Sequence, residues 1–89
     1  MKAVITVVGK DALGIVARVS TLCFECGANI VDITQKVMRE YFTMILLVEL
    51  DKVKMSFSEF AETLAAEGEK TGLEIKVMHE DIFNSMHRI

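Results

Sequence analysis

The segment Gly9-Lys10-Asp11-Ala12-Leu13-Gly14 lies between a β-branched run and an apolar pattern of helical spacing. The first amides of a helix have no intrahelical partner and sit at its positive end. A loop placed there can hold a carboxylate. Gly14 permits close approach of the helix to the sheet or to a ligand. Asn29, at the start of the next extended run, offers donors and an acceptor to an amino or carboxyl group. The same residues also have plain structural uses: Asp11 as a helix cap, Gly14 in packing, Asn29 in a turn.

Two other groups could do chemistry. Cys23 and Cys26 share a helix face, and paired thiolates can take a soft metal or form a redox couple. They fall on the apolar stripe of their helix, so core packing is the better reading. His79, Glu80, Asp81 and His87 have metal-ligand chemistry, but nothing in the pattern fixes their geometry, and a solvated C-terminal segment is expected. No serine–histidine–acid pattern, P-loop or dinucleotide fingerprint is present, so no catalytic residue is assigned and no cofactor is expected.

The elements that must position these residues follow from periodicity. Val4–Val8 is apolar on both faces, as an interior strand should be. Ile15, Val19, Leu22 and Cys26, with Val16 and Cys23, form the stripe of a helix that Asp11 can cap and Gly27 ends. Asn29–Met38 alternates, with Val31, Ile33, Gln35 and Val37 on one face, and reads as an edge strand. Arg39-Glu40 is the turn into Phe42–Leu50, a second interior strand.

Ser56 and Glu59 make a capping box for the next helix, with Met55 placed to staple onto Phe60. Its buried stripe is Phe57, Phe60, Ala61, Leu64 and Ala65; Gly68 interrupts the pattern and Gly72 stops it. Leu73, Ile75 and Val77 then alternate with Glu74, Lys76 and Met78 in another edge strand. Ile82, Phe83 and Met86 give the tail helical spacing.

The order β-α-β-β-α-β, with right-handed crossovers, predicts a ferredoxin-like α+β fold. Both helices cover one face of a four-stranded antiparallel sheet. The other face is left with apolar side chains that only the tail or a second subunit could cover, so a homodimer or larger homo-oligomer is expected.

Composition bounds the possible functions. Eighty-nine residues, 52% of them hydrophobic, make one domain over 1–89, with 80–89 as a tail. No apolar run approaches the roughly 20 residues of a membrane span. The first residues do not resemble a secretion signal, so a cytoplasmic protein is expected. A net charge of −3 argues against direct nucleic-acid binding.

The run Val4-Ile5-Thr6-Val7-Val8-Gly9-Lys10-Asp11-Ala12-Leu13-Gly14-Ile15-Val16 resembles the ACT domain, a small regulatory module that binds amino acids. Gly27-Ala28-Asn29-Ile30-Val31-Asp32-Ile33 and Tyr41-Phe42-Thr43-Met44 extend the resemblance over essentially the whole chain. It is nearest to stand-alone single-ACT proteins and to the ACT halves of the glycine cleavage system transcriptional repressor.

The resemblance implies a dimer with effector sites between subunits. It places Gly9, Lys10, Asp11, Ala12, Leu13 and Gly14 in the effector loop, and Asn29 and Ile30 at the start of the facing strand. Leu13 stands where many such loops have proline, which leaves the loop less preorganised. The implied function is a non-enzymatic sensor of an amino acid or similar metabolite that acts on a separate partner. The alternative is a protein-interaction module that docks through the sheet face or tail.

Overall fold

The computed structural model describes residues 1–10 and 14–86. The elements are β1 (Lys2–Gly9), α1 (Ile15–Cys26), β2 (Asn29–Met38), β3 (Tyr41–Glu49), α2 (Phe57–Thr71), β4 (Glu74–His79) and α3 (Glu80–Met86). The strands form one antiparallel sheet in the order β2-β3-β1-β4. The two runs that are apolar on both faces, β1 and β3, are its interior strands. This is the ferredoxin-like arrangement expected, with a third helix made by the tail.

Strand register assigns each side chain to a face. Ala3, Ile5 and Val7 on β1 and Phe42, Met44, Leu46 and Val48 on β3 point to the same side. They are buried there with Ile15, Val19 and Cys23 of α1 and Phe60 and Leu64 of α2. Val4 points to the opposite face, yet it is only 4% exposed and lies outside that cluster. The short α3 packs against β1 and β4, which accounts for Val4. The rest of that face is mixed rather than apolar: Thr6, Thr34, Lys36, Thr43 and Lys76 stand among Val8, Ile45 and Leu47.

Three local readings change. Pairing of β2 with β3 steps from Ile30 opposite Val48 to Asp32 opposite Leu47, so Val31 sits in a bulge. Ile30, rather than Val31, therefore joins Ile33 against the core, and Val31 stays 46% exposed.

The N-cap of α1 is Gly14 and not Asp11. Gly14 has φ 75°, and among the described residues no side chain hydrogen-bonds the cap. In α2, Ala65 is exposed and Gly68 is buried in its stead. A Cβ on Gly68 would come within 2.6 Å of the Leu73 carbonyl oxygen. The glycine is what lets α2 lie against the start of β4.

The capping box is present as expected. Ser56 Oγ accepts from the Glu59 amide at 3.1 Å, and Glu59 Oε1 accepts from the Ser56 amide at 3.0 Å. Arg39 makes the hairpin turn with φ 57°, a left-handed conformation unusual for a residue with a side chain.

Candidate functional site

Gly9 closes β1 and is buried, because a Cβ there would run into the Leu73 side chain. The next residue, Lys10, is exposed and holds its ammonium 6.0 Å from the centre of the Tyr41 ring. Gly14 then turns the chain into α1. A Cβ on Gly14 would meet none of the described residues within 4 Å, so packing against them does not require the glycine; its positive φ does. Asp11, Ala12 and Leu13, the middle of the expected effector loop, lie outside the described residues.

The described ends of that loop open on a cleft of about 440 Å³ lined by Lys10, Gly14, Ile15, Arg18, Thr71, Gly72 and Leu73. It joins the start of α1 to the end of α2. The first turn of α1 contains no acidic residue, and among the described residues no side chain caps it, so its leading amides keep their positive potential. Arg18 adds a cation on the same side. Its Nη1 lies 3.1 Å from Glu67 Oε2 of α2. The Thr71 hydroxyl is already committed, donating to the Glu67 carbonyl at 2.7 Å. The cleft can therefore attract an anion through backbone amides and Lys10, with Arg18 at its side sharing its charge with Glu67.

Asn29 is elsewhere. It aligns with Glu49, which aligns with Lys2 at the opening of β1, whereas Gly9 aligns with Phe42. Seven residue steps along a strand separate these levels, about 23 Å at 3.3 Å per residue. Asn29 Nδ2 donates to Glu49 Oε1 at 3.0 Å. It lines a different cleft, of about 470 Å³, with Phe24, Gly27, Ala28, Glu49, Asp51 and Lys52. Ile30 packs inward on the core. One chain thus brings Gly9, Lys10 and Gly14 together and leaves Asn29 and Ile30 at the far end of the sheet.

The cysteines behave as core. Burial, with a smaller contribution from Cys26, pushes the Cys23 thiol up to about 11. Burial, and then the Glu25 carboxylate, raises Cys26 as well. Neither environment favours a thiolate. His79 Nδ1 accepts from the Asp81 amide at 3.1 Å and so caps α3; His87 lies outside the described residues. Among the described residues, no three His, Cys, Asp or Glu side chains gather closely enough to hold a metal. None of their helices is long and apolar enough to cross a membrane.

Sequence reasoning missed Thr71, Gly72, Leu73 and Arg18 as cleft residues. Arg18 had a local signal, since it stands one helical turn after Gly14. The end of α2 had none, because only the crossover brings it beside the loop.

A family model described as the ACT domain matches residues 2–78. A UPF0237 protein of Clostridium acetobutylicum is 49% identical over 89 residues, covering 100% of both chains. Among solved structures, an ACT domain protein from Streptococcus pneumoniae is 46% identical. It superposes with a TM-score of 0.84 over 93% of each chain. A protein assigned as a glycine cleavage system transcriptional repressor is 30% identical with a TM-score of 0.70. That match covers 85% of this chain and 43% of the other.

Proposed function

This chain belongs to the ACT domain family, a family of regulatory, ligand-binding modules, and we propose that it is a small non-enzymatic sensor of an amino acid or similar metabolite. Residues 1–89 act as one cytoplasmic domain, with 80–89 as a tail. The ligand site is completed between two copies, and its occupancy is reported to a separate partner protein. One observation carries this reading. The start of α1, which no described side chain caps, opens, beside Lys10 and Arg18, on a cleft of metabolite size.

In this reading Gly9, Lys10, Asp11, Ala12, Leu13 and Gly14 form the effector loop. Its amides and Lys10 take the carboxylate. Asn29 comes from the second copy, because in one chain it lies at the other end of the sheet. Ile30 packs inward and contributes its backbone. The ligand biases the geometry of the pair of subunits through its differential affinity for two arrangements, and the partner protein reads that geometry.

The test is a thermal-shift screen of the parent chain against the common amino acids at millimolar concentration. A ligand at 100 times its Kd adds about 2.7 kcal/mol, several degrees for a domain of this size. One or a few amino acids should raise the melting temperature, and both Gly14→Val and Lys10→Ala should remove that rise. Unchanged affinity in both variants would displace the site. A flat screen would remove the amino-acid ligand.

A second reading has one observation in its favour. Ile82 and Met86 are 55% and 65% exposed on α3, an apolar surface a partner protein could dock on. A chain that ends after Asp81 would lose such docking and keep ligand binding.

A further inference from the structure

Lys10 belongs to two surfaces at once. It lines the cleft between the start of α1 and the end of α2. Its ammonium, however, lies 6.0 Å from the centre of the Tyr41 ring. Strand register explains how. Gly9 is opposite Phe42, which is buried on the helix side of the sheet. Lys10 follows Gly9 and Tyr41 precedes Phe42, so both side chains turn to the outer face, where they are cross-strand neighbours. Lys10 stands just past the end of β1, and its flexible four-carbon stem can swing round that end from one face to the other.

The two basic side chains of the cleft are differently placed. Arg18 is held by Glu67 at 3.1 Å, whereas Lys10 is in no ion pair among the described residues. Its contact with Tyr41 is at the outer limit of a cation–π attraction and open to water, so it is easily exchanged. A carboxylate in the cleft is the stronger partner for an ammonium.

We propose that Lys10 relays occupancy of the cleft to the outer face of the sheet: without ligand its ammonium rests on Tyr41, and with an anionic ligand it turns to the anion and leaves the ring bare. The relay rests on the proposed function for its ligand, and it gives the reporting step a place within one chain. Tyr41 is 43% exposed, with Met38 opposite it on β2 at 58% and Val8 diagonal to it on β1 at 39%. Withdrawing the ammonium takes one charge from this corner and uncovers apolar surface. The ring and the ligand compete for Lys10, so each weakens the hold of the other.

The test follows the Lys10 ε-methylene signal by NMR in the whole chain. Tyr41 is the only tyrosine, so Tyr41→Leu removes the ring without ambiguity. In the ligand-free parent that signal should stand upfield of an ordinary exposed lysine, under the ring current of Tyr41. Tyr41→Leu should remove the upfield shift and Tyr41→Phe should keep it. The probes are the common amino acids, each in turn at millimolar concentration, and inorganic phosphate. The amino acid that raises the melting temperature should also remove the shift in the parent. It should bind Tyr41→Leu about two- to fivefold more tightly than the parent, the worth of an exposed cation–π contact. Tyr41→Phe should bind it as the parent does.

An ordinary Lys10 signal in the ligand-free parent overturns the resting contact, whatever the melting temperatures give. An amino acid that raises the melting temperature but leaves the Lys10 shift in place, or binds Tyr41→Leu no more tightly, overturns the relay and leaves the sensor reading standing. If no amino acid moves the melting temperature, the sensor reading fails. Phosphate that then removes the shift keeps the relay for another anion, and phosphate that leaves it ends the relay too.

Discussion

The Arg18 guanidinium lies 3.1 Å from the Glu67 carboxylate and ties the first turns of α1 to the last turns of α2 across the mouth of the cleft. Arg18 is largely exposed and Glu67 is not, their side chains showing 55% and 16% of their surface. A pair of this kind contributes about 0.5 kcal/mol after solvent screening. Arg18→Ala should therefore lower the melting temperature by only about 2–4 °C. Its effect on ligand affinity should be larger, because Arg18 also lines the cleft. Glu67→Gln should cost similar stability without weakening ligand binding. Calorimetric melts and titrations on the two variants separate the roles.

Acid should undo the start of α2. Hydrogen bonds from the Ser56 amide and hydroxyl hold the Glu59 carboxyl below its ordinary value. The folded state thus favours the ionised form. That contribution is present above the unfolded pKa and disappears as pH falls through the lower folded value. Asp51, held low by the α-amine of Met1, adds to the same loss. Unfolding followed by circular dichroism should show stability falling below about pH 4. Glu59→Gln should flatten that fall, and Ser56→Ala should cost about 1 kcal/mol at neutral pH.

Cys23 should be inert until the chain unfolds. Its thiol sits in the core with the folded pKa pushed up to about 11 by burial. Folding favours the neutral thiol, so its contribution is complete below the unfolded pKa and is lost as pH rises toward the folded one. At pH 8 a disulfide reagent should label Cys23 only in denaturant. Cys23→Ala should keep the fold. Cys23→Asp should prevent it, by burying a charge without a partner. Labelling of Cys23 in the native protein at the rate of a free thiol would show that α1 opens readily.

Gly68→Ala should destabilise, against helix propensity. Alanine gains roughly 1 kcal/mol over glycine in an open helix. Here the new methyl meets the Leu73 carbonyl oxygen at 2.6 Å and Ile75 Cγ1 at 3.1 Å, so α2 must move off β4. A net loss of about 1–3 kcal/mol is expected, measured by denaturant titration. A gain would mean that the close approach of α2 to β4 is not maintained in solution.

Much of the fold was written locally. Two-sided apolarity marked β1 and β3 as interior strands, being richer in apolar residues on both faces than β2 and β4, although Thr6 and Thr43 stand on their second face. The stripe of Ile15, Val19, Leu22 and Cys26, with Val16 and Cys23 beside it, marked the inward side of α1, of which Ile15, Val19 and Cys23 are fully buried, and Ser56 with Glu59 marked the start of α2. Glycine at 27 and 72 ended the helices as expected, both in the left-handed region. These signals depend only on neighbours in the chain, so the sequence alone carries them.

Tertiary structure decided the rest. The bulge at Val31 exchanged the inward residue of β2, because register is set by the partner strand and not by alternation alone. Gly68, unfavourable in an isolated helix, became the point where α2 reaches β4. The tail turned back onto β1 and β4, which no periodicity specifies. The largest difference lies at the site. Gly9, Lys10 and Gly14 were legible as a helix-start loop. Their neighbours Thr71, Gly72 and Leu73 come from a distant part of the chain, and Asn29 falls at the opposite end of the sheet. A crossover connection joins residues far apart in sequence and separates others that are near, and only the folded chain fixes which.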